Sequence, residues 1–104
     1  MDVKALSDNI GIDVETYLEI LGMFYERSVE DMEGIRIALE EGRSDAAVRG
    51  AHSIKGVAAN LGIEDISELA KEIEMKARES MLNEIPVLLI PLREKIRLVK
   101  EILP

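Results

Sequence analysis

Apolar residues recur along much of this chain at alternating spacings of four and three, the period of a helix that turns one face to a neighbour. Val14, Leu18, Leu21, Tyr25, Ser28, Met32, Ile35 and Leu39 form the longest such run, and only Ser28 interrupts its apolar character. Asp13 is placed to cap it, Glu15 complements the dipole of its first turn, and Gly42 suits a left-handed terminus. The pattern predicts one long helix over 13–41. Gly22 and Gly34 lie inside it at a cost of about 1 kcal/mol each against alanine, which invites a bend between Glu30 and Gly34. A second seam of Ala47, Ala51, Ile54, Ala58 and Leu61 predicts a helix over 44–61, capped by Ser44 and closed by Gly62. Its small residues permit close helix packing.

A third helix is expected over 64–80, with Ile66, Leu69, Ala70, Ile73 and Ala77 inward and Glu68, Lys71, Glu72 and Lys76 outward. Glu72 and Lys76 have the spacing of an intrahelical ion pair. The last seam, Ile85, Leu89, Leu92, Ile96, Val99 and Leu103, predicts a helix over 84–103 with Asn83 as its cap. Pro86 suits a first turn, whereas Pro91 predicts a kink or a helix that begins nearer to it. Val3, Leu6 and Ile10 mark a short helix over 2–9, ended by Gly11. Four seams joined by short loops predict an all-α fold: an antiparallel up-down four-helix bundle with a short N-terminal helical extension, as one domain over 1–104.

Charge narrows the partners. Thirteen Lys and Arg against 21 Asp and Glu give a net charge of -8, which disfavours nucleic acid and anionic membrane surfaces. The longest apolar run, Pro86 to Leu92, is too short to span a bilayer, so a cytoplasmic, monomeric protein is expected. Cysteine is absent, which removes disulfides and thiolate metal sites. Met23, Met32, Met75 and Met81 read as core filler.

Chemistry converges on the single histidine. A carboxylate-bridged metal site in a bundle needs Glu three residues before His, and Arg49 stands there instead. Ser53, adjacent to His52, points about 100° away on a helix and cannot form a triad with it. The imidazole itself remains, a nucleophile near neutral pH that can accept a phosphoryl group directly. His52 stands one residue past a seam position, on the flank of its helix. Lys55, Gly56 and Ala59 share that face, and Lys55 could serve phosphate oxygens as a mobile point charge. A mid-helix Gly56 has two explanations, close helix packing or access for a visitor to the ring. Val48, Arg49, Gly56 and Ala59 are the candidate docking positions. Between Arg43 and Gly62, the cations Arg43, Arg49 and Lys55 outnumber the one anion, Asp45, making a local basic strip in an acidic chain.

The segment Ala51-His52-Ser53-Ile54-Lys55-Gly56, continued by Ala58-Ala59-Asn60-Leu61-Gly62, resembles the signature of histidine-containing phosphotransfer (HPt) domains. Asp13 to Phe24 is similar to the acidic start and apolar helix that open those domains. Leu69 to Glu74 is similar to their later leucine-glutamate segment. Ile54 stands where leucine is commoner, and Pro91 interrupts the last helix. The resemblance implies that His52 is phosphorylated and shuttles a phosphoryl group between receiver-domain aspartates, with Lys55 assisting and Gly56 giving access. It further implies a carrier without autonomous kinase or phosphatase activity. Magnesium is expected on the partner receiver, with no metal or other cofactor on this chain. Receiver (response-regulator) domains, and a histidine kinase, are the implied partners. The alternatives are the phosphoacceptor domain of a chemotaxis-type histidine kinase, or a non-catalytic scaffolding bundle.

Overall fold

A computed structural model describes residues 1–104 and contains five α-helices, with no strands: α1 (Val3–Ile10), α2 (Val14–Glu41), α3 (Ser44–Asn60), α4 (Glu64–Arg78) and α5 (Pro86–Ile102). A single 3-10 turn, Leu82–Glu84, precedes α5. Helices α2 to α5 form the expected up-down bundle, with α3 packed between α2 and α4, and α5 closing the ring against both of those. The short α1 lies against α2.

The helix ends are set by local chemistry. Asp13 accepts a hydrogen bond from the Thr16 amide at 2.7 Å and starts α2, while Asp2 caps α1 in the same way through Ala5. Ser44 does not cap α3. It is the first helical residue, Arg43 occupies the cap without a side-chain bond, and the Ser44 hydroxyl instead meets that of Ser80. Gly11, Gly42 and Gly62 all have positive φ beyond their helices. After α3 the Gly62 amide returns to the Ala59 carbonyl and the Ile63 amide to that of Ala58, a Schellman closure that reverses the chain toward α4.

The core joins the predicted seams, and the α2 seam is wider than expected. Along α2 the buried residues are Tyr17, Leu21, Phe24, Ser28, Met32, Ile35 and Ala38, whereas Val14, Leu18, Tyr25 and Leu39 are half-buried. This helix touches α1, α3 and α5, so its buried arc keeps Leu21, Ser28, Met32 and Ile35 of the expected line and widens to Tyr17, Phe24 and Ala38 beside it. It runs unbroken through Gly22 and Gly34. The seams of α3 and α5 are buried as expected, apart from a half-buried Leu103.

Four local expectations are corrected. Helix α5 starts at Pro86 and continues through Pro91, so Asn83 belongs to the preceding 3-10 turn and does not cap it. Lys76 pairs across the loop with Glu84 at 3.0 Å rather than with Glu72. Ile10 is exposed, and the buried residue of α1 is Ser7, whose hydroxyl donates to the Lys4 carbonyl. Met23 and Met75 are exposed as well, because they fall on the outward arcs of α2 and α4; of the methionines only Met32 is buried. No helix is long and apolar enough to cross a membrane.

Candidate functional site

The site grows out of the α3 seam. Ala47, Ala51, Ile54, Ala58 and Leu61 are all buried, which fixes the rotation of the helix. One residue beyond Ala51, about 100° around, His52 emerges with 61% of its side chain exposed. Arg49, a turn earlier, is exposed and bonded to Asp45 at 3.2 Å; Val48 is half-buried against the core. Gly56 has nothing within 4 Å of where a Cβ would stand, and Ala59 is exposed. The space beside the ring is therefore open, and helix packing does not account for Gly56.

Close packing is the reason for a different glycine. A Cβ on Gly50 would stand 2.8 Å from Cγ1 of Ile35 and 3.0 Å from the Asp31 carbonyl oxygen. There α3 approaches the backbone of α2. This contact holds the histidine-bearing helix against the bundle.

Sequence reasoning missed the centre of the site. Glu74, on α4, has only 5% of its side chain exposed and receives three partners. His52 Nδ1 is 3.1 Å from its Oε2, Lys55 Nζ is 2.7 Å from its Oε1, and Arg78 Nη2 is 2.6 Å from Oε2. Burial opposes ionisation of Glu74, but the hydrogen bonds from Lys55, Arg78 and His52, with the charge of Lys55, outweigh it and hold the carboxyl pKa down to about 2. A carboxylate can only accept, so Nδ1 of the ring is the donor and Nε2 is left unprotonated in the neutral ring. A further bond from the Ser67 hydroxyl to the Lys55 carbonyl, 3.2 Å, ties the two helices beside this cluster.

The signal for Glu74 was available in its register. His52 follows the seam residue Ala51 and Glu74 follows the seam residue Ile73, so both occupy flanks of neighbouring helices. A charge next to the inward row, facing a flank that carries His and Lys, is a candidate partner for them.

Two expectations about charge change with these contacts. Lys55, 30% exposed, is not a free point charge but is seated on Glu74. Within the basic strip, Arg43 and Arg49 both engage Asp45, and the cation added beside His52 comes from α4, as Arg78. No group of three or more His, Asp and Glu side chains is arranged to hold a metal ion.

Comparison with known proteins follows the same line. The family model described as Hpt domain matches residues 19–100. Among solved structures, histidine-containing phosphotransfer protein B (HptB) from Pseudomonas aeruginosa PAO1 is similar over 98% of this chain and 89% of its own. Its TM-score is 0.84 and its sequence identity 26%. A search of curated proteins finds no match.

Proposed function

The chain belongs to the Hpt domain family, and on that premise we propose that His52 is the residue through which it performs histidine phosphotransfer in a phosphorelay. The observation that carries this reading is an exposed imidazole held through Nδ1 by a buried, ionised carboxylate, with Nε2 making no hydrogen bond to the chain. Nε2 attacks the phosphorus of a receiver's aspartyl phosphate. An N–P bond forms, the acyl-phosphate O–P bond breaks, and the aspartate leaves as a carboxylate. Return of the phosphoryl group to a second receiver reverses the same bonds.

Glu74 keeps the ring aimed during both steps, so the reacting atom has its geometry before a partner arrives. Lys55 neutralises the phosphoryl oxygens, and Arg78 shares the balancing of Glu74. Open space over Gly56 and Ala59 admits the partner's loop, flanked by Val48 and Arg49. Phosphoryl transfer needs little more from this chain than positioning and charge, and the magnesium site belongs to the receiver. In this reading the domain works in the cytoplasm without self-association, with receiver domains and a histidine kinase as its partners.

Incubation with a phosphorylated receiver, followed by mass and acid-lability measurement, tests the assignment. An acid-labile, base-stable phosphate is expected on the protein and absent from His52→Gln, whose helical circular dichroism is unchanged. Label retained on that variant overturns it. Lys55→Ala is expected to slow transfer roughly tenfold, and Gly56→Leu to hinder docking without unfolding.

A further inference from the structure

The end of the bundle away from His52 carries a groove of about 680 Å³, between α1, the α3–α4 turn and the last turns of α5. Its floor is apolar, formed by Leu6, Ile63, Leu98 and Ile102. Leu98 is 44% exposed, on a helix face whose neighbours Glu94, Arg97 and Glu101 are ionic. Four carboxylates rim it, those of Asp2, Glu64, Asp65 and Glu101, against two cations, the Lys95 side chain and the N-terminal ammonium of Met1. Lys95 is bonded to Asp65 at 3.0 Å, and Glu101 to Arg97 at 2.8 Å. Asp2 only caps α1, and Glu64 has no ion-pair partner, so the rim keeps unbalanced negative charge.

We infer that this groove docks a basic amphipathic helix of a protein partner. Leucine-sized side chains on one face of such a helix fit the apolar floor, and flanking Lys or Arg residues meet the free carboxylates of Asp2 and Glu64. An acidic or neutral helix would gain the floor but meet the rim's repulsion or leave it unpaired, so the rim selects the sign of the partner. Between His52 and Asn60 the helix rises about 12 Å, and the groove begins beyond Asn60 at Gly62. Occupancy there leaves the histidine face uncovered, which allows the partner to be held while a receiver exchanges phosphate. This proposal does not depend on the role given to His52.

The test uses two synthetic amphipathic helices of about fifteen residues, one of Leu and Lys, the other of Leu and Glu, titrated into the ¹⁵N-labelled protein. The Leu/Lys peptide is expected to shift the amides of Leu6, Gly62, Ile66 and Leu98, with those of His52 and Gly56 unmoved, and the Leu/Glu peptide to shift none. Leu98→Asp is expected to weaken binding about tenfold, by removing a buried leucine contact. Glu64→Lys should weaken it as well and reduce its salt dependence, and both variants should keep the wild-type circular dichroism and phosphate transfer. Equal binding of both peptides, shifts centred elsewhere on the acidic surface, or undiminished affinity in Leu98→Asp and Glu64→Lys would each overturn the inference.

Discussion

At the scale of single residues, Glu74 joins stability to the site. Its ordinary pKa of 4.5 falls to about 2 in the fold. The stabilisation is therefore fully present above about pH 4.5 and is lost as pH falls through the folded value. A shift of that size corresponds to the order of 3 kcal/mol. Urea unfolding at pH 6, 4, 3 and 2 should show wild type losing its advantage over Glu74→Gln across this window, and a constant difference would refute it. At neutral pH the same variant should transfer phosphate more slowly, because glutamine does not offer the ring a charged acceptor. Glu74 also shows where single-residue reading stops. The exposed flank position of His52 was legible in its own helix, whereas its partner is 22 positions away and becomes visible only once α3 and α4 are registered against each other.

Helix ends and contacts set the next scale. All of α1 to α4 finish in a left-handed residue, and three of the four use glycine. The exception is Ser80 at φ 59, after α4, where the Met81 amide returns to the Lys76 carbonyl. Serine carries a Cβ penalty in that region, so Ser80→Gly is expected to raise stability by about 1 kcal/mol, read as an upward shift in melting temperature. The glycines inside helices divide by the space around them. Gly22 and Gly34 face open space, and alanine at either should stabilise α2 by about 1 kcal/mol. Gly50→Ala gains the same propensity but meets Ile35 and the Asp31 carbonyl, and overpacking of about 1–3 kcal/mol makes it destabilising. Chemical denaturation of the three variants checks the opposed signs. Nothing in the spacing of glycines along the sequence separates these cases, since the difference lies in how near the neighbouring helix comes.

Across the whole molecule, acid resistance is distributed. Asp13, Glu33, Asp45, Asp65 and Glu94, like Glu74, all have carboxyl groups lowered from their ordinary values. For Asp13, Glu33, Asp45 and Glu94 the hydrogen bonds they accept dominate; for Asp65 burial opposes the shift, and its bonds from Lys95 and the Ile66 amide overcome it. Each favours the fold fully above its ordinary pKa and loses that contribution as pH falls from there through its lowered folded value. The net charge of -8 also gives way to positive charge, since thirteen Lys and Arg remain. Thermal stability should fall steeply below about pH 4, and added salt should restore part of it by screening repulsion. A flat melting temperature between pH 6 and 3 would contradict this. The four bundle helices and their order were legible because their seams carry the fold's main driving force. The widening of the α2 stripe and the uninterrupted α5 were not, because burial on three sides and the tolerance of Pro91 are decided by neighbours.

The cluster around Glu74 has a consequence for exchange. With a neutral imidazole, Lys55, Arg78 and Glu74 sum to one surplus positive charge, which draws in a negatively charged docking pocket. The phosphoryl group proposed for His52 would bring about two negative charges, and the loaded site would be net negative. Empty and loaded carriers then differ in electrical sign at the same spot. On the proposed transfer, a partner with an acidic pocket would be held by the carrier it had just relieved of phosphate, and would compete for it with partners still waiting to deliver.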